Sequence, residues 1–214
     1  MGSVLDAALE EHRAMADTLT KVGPDAPTLL EGWTTKDLAA HLASIDTAGG
    51  LPLFVGRQLI TRIYPRPTKG SRKVAARALE RALAKGYDWS VDRVRAPHRL
   101  PMRAGGGPVA IFEIFVHHQD VLRADPDLPP RAAPDELSVC LPWLLAFHAK
   151  QLDGIRLEVE TEHGTDAVGE GAPVTVRGDA GEVVLWLAGR APHCSVEVEG
   201  DPDVLDRLSP VTRI

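Results

Sequence analysis

The stretch EIFVHHQDV, residues 113–121, sets a glutamate and two adjacent histidines among Ile, Phe and Val. A core position favours an aliphatic side chain, because an unpaired carboxylate taken out of water is costly and tends to become neutral. Side chains four apart on a helix are neighbours, with roughly 5–6 Å between Cβ atoms, so Glu113 and His117 can converge on one point. Ala110, Ile114, His117 and Val121 form one row of that helix, and its apolar members turn the point inward. A third group comes from GWTTKDLAAHL, where His41 lies between Leu38, Leu42 and Ile45 and shares their face. One carboxylate and two imidazoles on two helices suit a divalent cation, which turns a buried liability into a ligand. Three protein ligands also leave a position open for water or substrate. Zinc is the first candidate, and the same donors admit nickel, manganese or iron.

The competing reading is plain packing, since an E-x₃-H pair recurs by chance and an inward histidine is commonly a hydrogen-bonded core residue. His118 points roughly 100° away from His117 and is expected behind the ligands or at the surface. Asp120 is expected either to face solvent or to act as an acceptor behind a ligand. His12, His98, His148 and His163 have no partner that the sequence identifies, and His193 stands beside Cys194 in the other half of the chain.

The elements that must position these groups follow from periodicity. Residues 3–21 repeat Leu5, Leu9, Ala16 and Leu19 at helical steps, and GPDAPT breaks the pattern. A second helix opens at Thr34 or Thr35, with Leu38, Leu42 and Ile45 as its stripe and Thr34 with Asp37 at the spacing of a capping box. Asp37 therefore has a structural job, and Trp33 reads as a core anchor before the helix. Gly49, Gly50 and Pro52 blur the end of that helix, and YPRPTKG, residues 64–70, reads as a loop. A third helix is expected over 71–85, a Pro- and Gly-punctuated segment over 88–108, and a fourth helix from Pro108 or Val109 to about residue 124. DPDLPPRAAPDE is a linker by composition. A fifth helical pattern spans 136–152, and Pro142 should kink it or mark its start.

From Ile155 the period changes to two. IRLEVETE, PVTVRG and SVEVEG alternate as strands with one wet face. Between them GDAGEVVLWLAGR reads as a helix with Asp179 as cap and Glu182 at the capping-box position, and Asp201-Pro202 opens a last short helix. The pattern predicts an α+β chain in two domains, a helical bundle over residues 1–152 and a small α/β domain over 153–214, with no internal repeat.

GWTTKDLAAHL followed by EIFVHHQDVLRA resembles the N-terminal metal-binding domain of the mycothiol-dependent maleylpyruvate isomerases, within the wider DinB-like superfamily. That pattern joins GW[ST]-x₂-D-[LV]-x₂-H on one helix to an E-x₃-H or H-x₃-H pair on a later one; Trp33, Asp37, His41, Glu113 and His117 fill it here. GDAGEVVLWLAGR and VEVEGDPDVLDRL are similar to the small C-terminal domain of those isomerases, itself likened to sterol-carrier folds. The resemblance leaves residues 51–108 unmatched.

It implies a DinB-like four-helix bundle with the metal on His41, Glu113 and His117, and mycothiol or a related small thiol as cosubstrate. A thiol is nucleophilic as the thiolate, and a divalent cation lowers its pKa. The implied activity is isomerisation or S-transfer on a small molecule, and an open site with water in place of thiol would instead suit hydrolysis of a small amide or ester. A non-enzymatic metal or small-molecule binding protein is a third class. Arg190 resembles an arginine that holds an anionic substrate in those isomerases, a role its bidentate guanidinium would suit; otherwise it is a helix C-terminal charge favoured by the macrodipole. The family's diversity leaves the substrate open.

Across 214 residues the net charge is −6, which argues against a nucleic-acid partner. The basic run KGSRKVAARALERALAK reads as a solvated helix face. The opening MGSVLDAALEEHR lacks the basic-then-apolar pattern of a signal peptide, so none is expected, and no apolar stretch approaches the roughly 20 residues that span a bilayer. Cys140 and Cys194, far apart, are expected as buried thiols in a reducing cytoplasm rather than a disulfide. Monomer and homodimer are both compatible with the sequence.

Overall fold

The computed structural model describes residues 3–47, 69–98 and 106–208. The expected loop at 64–68, the end of the second helix beyond residue 47 and the punctuated segment 99–105 lie outside them. Two compact units divide the chain, Met1–Pro130 and Arg131–Ile214.

The first unit is helical. Its described helices are α1 (Val4–Val22), α2 (Thr35–Thr47), α3 (Lys69–Lys85), α4 (Tyr87–Arg95) and α5 (Gly107–Leu122). Ser3 caps α1 by accepting from the Asp6 N–H, which satisfies one of the donors a helix start leaves free. Of the box expected at α2 the carboxylate half is seen: the Thr34 N–H donates to Asp37 Oδ2 at 3.0 Å, and the Thr34 hydroxyl donates to the same oxygen at 3.0 Å. Pro108 sits in the first turn of α5, where its missing N–H costs nothing. Helix α1 packs on α4 and α5, and α2 packs on α3 and α4. Met15, Leu19, Leu38, Leu42, Val91, Val94, Ile114 and Val121 form the core between them, with Trp33 and Tyr87 at its margin.

Two expectations fail here. Ile45, placed in the α2 stripe, is 39% exposed, so the buried face of that helix runs through Leu38, Ala39 and Leu42 instead. Helix α4 lies inside the segment read as punctuated loop. It starts directly after Gly86 with no side-chain cap, yet Val91 and Val94 are buried; tertiary packing supplies what capping does not.

The second unit begins some twenty residues before the expected boundary at 153. A 3-10 turn, Asp135–Cys140, leads into α6 (Leu141–His148), and Pro142 marks the start of that helix. Leu137, Leu141, Leu144 and Leu145 are buried, and these segments pack on β2 and α7 of the same unit. The apolar face read as bundle is thus part of the small domain's core.

Four strands follow, β1 (Ile155–Thr161), β2 (Gly164–Val168), β3 (Ala172–Arg177) and β4 (Glu197–Gly200), in the sheet order β2-β1-β3-β4. The β1–β3 pair is parallel and the outer pairs antiparallel. Strand β2 is an addition to the sequence reading. Its residues are exposed almost throughout, so no alternation announces it. The chain passes from β2 to β3 across the start of β1. A Cβ on Gly169 would lie 2.3 Å from the Ile155 carbonyl oxygen, and one on Gly171 would lie 2.2 Å from that of Gly154. Both have positive φ, 80° and 124°, so only glycine serves at this crossing. On the wet face Arg177 bridges Glu160 and Glu199, a charge ladder over three strands that holds the guanidinium charged.

Ile155, Leu157, Val159, Val174 and Val176 meet α7 (Ala180–Leu185) and α8 (Pro202–Leu208) beneath the sheet. The capping box expected at α7 is absent. Asp179 makes no side-chain cap; Glu162 accepts the Ala180 N–H at 2.9 Å, and Glu182 turns to the Ser195 N–H at 2.8 Å. After Leu185 the helix gives way to a wider π turn, Trp186–Arg190, which is broken at Gly189 by its positive φ of 82°. Cys140 and Cys194 are not joined in a disulfide, the first being buried and the second half-buried; burial pushes the Cys140 thiol up to about 12. Among the described residues no helix is long and apolar enough to cross a membrane.

Candidate metal centre

Helix α2 supplies one donor and α5 two. His41 projects from α2 three residues after Leu38, and Glu113 and His117 project from successive turns of α5 beside buried Ile114. One ligand atom from each of the three, an imidazole nitrogen twice and a carboxylate oxygen once, lies within 4.8 Å of the others. His117 Nε2 is 3.5 Å from Glu113 Oε2, and the His41 and His117 rings meet edge to face with centroids 5.3 Å apart. The Trp33 ring stands edge to face against His41, at 5.5 Å. All three donors are half-buried rather than sealed, so the cluster has both a packed side and an accessible one.

Behind the cluster stands Asp120. Its Oδ2 accepts from His117 Nδ1 at 2.9 Å, and its side chain is fully buried. The structure thus selects the acceptor role from the two expected for Asp120. Burial is the largest influence on His117 and pulls its pKa down. The hydrogen bonds and charges of Asp120 and Glu113 together outweigh it and hold the ring's pKa at about 9. Two imidazole nitrogens and a carboxylate oxygen, close enough to share one ion and half open to solvent, fit a first-row divalent metal with an exchangeable position.

His118 departs from both expectations. It is buried at the α1–α5 contact, with Nδ1 donating to Glu11 Oε1 at 2.6 Å and Nε2 hydrogen-bonded to the Thr18 hydroxyl at 2.8 Å. The other histidines also find partners. His12 Nδ1 donates to the Val94 carbonyl and His148 Nε2 to that of Leu187; exposed His163 pairs with Glu162. Asp120 and Glu11 are the functional-looking groups that sequence reasoning left undecided or missed. The i, i+3 spacing of His117 and Asp120 was the available signal for the first, and nothing local signals the second.

Arg190 lies in the second unit, at the end of the π turn. Its Nη1 donates to the Ala188 carbonyl at 2.5 Å, and its own carbonyl accepts from Cys194 Sγ at 3.0 Å.

Comparison with known proteins bears on the whole chain. Residues 5–57 match the family model of the mycothiol maleylpyruvate isomerase N-terminal domain. Residues 58–207 match that of the MDMPI C-terminal domain. His41 falls in the first match and Glu113 and His117 in the second. Among solved structures, the chain is similar to a mycothiol-dependent maleylpyruvate isomerase, at 18% identity and a TM-score of 0.54, over 94% of this chain and 99% of that one. A histidine-to-alanine mutant of such an isomerase matches over the same shares, at 17% identity and a TM-score of 0.53. No curated protein matches the sequence. The two family models together span most of the chain, which therefore belongs to the mycothiol maleylpyruvate isomerase family.

Proposed function

We propose that His41, Glu113 and His117 hold a divalent metal, zinc before nickel, manganese or iron, and that the chain is a thiol-dependent isomerase or S-transferase acting on a small molecule. The observation that carries this is the meeting of three donor atoms from α2 and α5 within 4.8 Å. Family membership supports mycothiol as the thiol. Bound there, a divalent cation would supply a Lewis acid that lowers the pKa of a thiol, so that thiolate is available at neutral pH.

The chain's own residues prepare for that. Asp120 fixes the His117 ring from behind. Trp33 closes one side of His41 with an apolar surface, which limits water at that ligand. Glu113 is the most exposed of the α5 pair, at 29% against 12% for His117, and so faces the side from which a thiol and substrate would enter. Arg190 is proposed to hold an anionic group of the substrate; an Arg190→Ala variant should raise KM for a carboxylate substrate while leaving metal content unchanged. Two thiols outside any disulfide suit a reducing cytoplasm.

The test is metal content by inductively coupled plasma mass spectrometry on protein purified without chelator, beside a His117→Ala variant. About one metal per chain, lost in the variant with helical content retained, supports the site. Equal metal in both removes His117 as a ligand. Turnover that requires added mycothiol then separates isomerase or transferase from hydrolase, which turns over in water alone. A metal with no exchangeable ligand would mark a non-enzymatic binding protein.

A further inference from the structure

We propose that Asp120 is the positioning residue of this centre: it holds His117 by Nδ1, commits Nε2 to the cation, and ties the ligand-bearing helix to the segment that delivers His41. The inference rests on the metal reading above and specifies how the site is built.

The two nitrogens of His117 are divided between protein and site. Nδ1 is taken by Asp120 Oδ2 at 2.9 Å, and Nε2 faces Glu113 Oε2 at 3.5 Å. A carboxylate at Nδ1 fixes the tautomer and the ring plane and makes the opposite nitrogen a better donor. His118 shows that the arrangement is not decisive alone. Its Nδ1 also donates to a buried carboxylate, Glu11, but its Nε2 is spent on the Thr18 hydroxyl. Only for His117 does the nitrogen opposite the carboxylate open onto other ligand atoms.

The backbone of Asp120 does a second job. Its carbonyl accepts the Leu29 N–H at 2.9 Å, anchoring the segment that precedes α2. That segment is braced by the Thr28 hydroxyl donating to the Trp33 carbonyl at 2.9 Å and by the Thr35 N–H donating to the Ala26 carbonyl at 3.0 Å. Trp33, at its end, packs its ring against His41. One residue thus touches His117 through its side chain and, through its main chain, the segment that sets His41. A displaced Asp120 would loosen ligands on both helices.

The experiment compares the unaltered protein with Asp120→Ala and Asp120→Asn, using zinc in competition with a chromophoric chelator and long-range ¹H–¹⁵N spectra of the histidines. In the zinc-loaded unaltered protein, His117 should carry its proton on Nδ1 and zinc on Nε2. Asp120→Ala should bind zinc about 10–100-fold more weakly with far-ultraviolet circular dichroism unchanged. Asp120→Asn keeps an acceptor oxygen opposite Nδ1, so it should recover part of that loss and retain the Nδ1 proton signal. Zinc on Nδ1 of His117 overturns the proposal, whatever the variants do. Equal zinc affinity in Asp120→Ala and the unaltered protein overturns it while the metal reading stands. No zinc bound by the unaltered protein removes the metal reading first, and this one with it.

Discussion

His117 and His118 are adjacent and chemically alike, yet their surroundings assign them different work. Each donates Nδ1 to a carboxylate, but His118 and Glu11 are both 2% exposed and are not members of the cluster formed by His41, Glu113 and His117. A buried pair of this kind is destabilising mainly when broken, because the surviving partner is left without compensation. Leaving a buried donor or acceptor without its partner costs about 1–3 kcal/mol, whereas replacing both members by packed apolar groups can be nearly neutral. We therefore expect Glu11→Ala to lower stability by about that amount in chemical denaturation, and the Glu11→Leu, His118→Leu double variant to recover most of it with zinc stoichiometry intact. A double variant no more stable than the single one would show that the pair itself contributes net stability. The sequence could not have revealed this partnership, since the two residues lie 107 apart. The His41, Glu113 and His117 convergence was legible because it needs only helical spacing on two elements and an inward face.

At the scale of elements, legibility followed amphipathic pattern. Helices α1 and α5 repeat apolar residues on one face and lie within about two residues of the expected bounds, and α2 starts where its cap residues place it. Helix α4 was missed because YDWSVDRVR is short, strongly polar and bounded by glycine and proline. Its place is set by contacts that only the fold creates. The Tyr87 hydroxyl donates to the carbonyls of Leu19 at 2.7 Å and Gly23 at 3.0 Å, which satisfies acceptors left over at the end of α1. Burial raises the Tyr87 pKa most, the Thr35 hydrogen bond opposes it and the Asp88 charge adds to it, with the result at about 12. The raised value means that folding favours the neutral phenol. This contribution is fully present below the ordinary value of 10.0 and is lost as pH rises through about 12. Spectrophotometric titration should show one phenolate appearing late, and Tyr87→Phe should remove that late step. An unchanged titration in the variant would contradict the assignment. In the sheet unit, the crossing glycine is the matching constraint. Gly171→Ala should cost at least about 1–3 kcal/mol, read as a lower denaturant midpoint, because its φ of 124° and the Gly154 carbonyl leave no room for a Cβ.

For the whole molecule, the division into Met1–Pro130 and Arg131–Ile214 has a thermodynamic consequence once a metal is considered. All three candidate ligands belong to the first unit, on α2 and α5. A ligand that binds only the folded state stabilises by mass action, about 2.7 kcal/mol at a free concentration one hundred times Kd. That gain accrues to whichever cooperative unit must open to release the ion. Hydrogen exchange with and without zinc should therefore slow at the amides of α2 and α5, and at α1 and α4, which share the core built around Leu38 and Ile114. Amides of β1 and β3 should exchange at the same rate in both conditions, since their hydrogen bonds close within the second unit. His117→Ala should abolish the difference everywhere. Slowing in β1 and β3 equal to that in α5 would mean that the two units open as one, so that the sheet domain, and Arg190 with it, is energetically part of the metal centre. Protection confined to the helices would instead assign ion binding to the first unit alone.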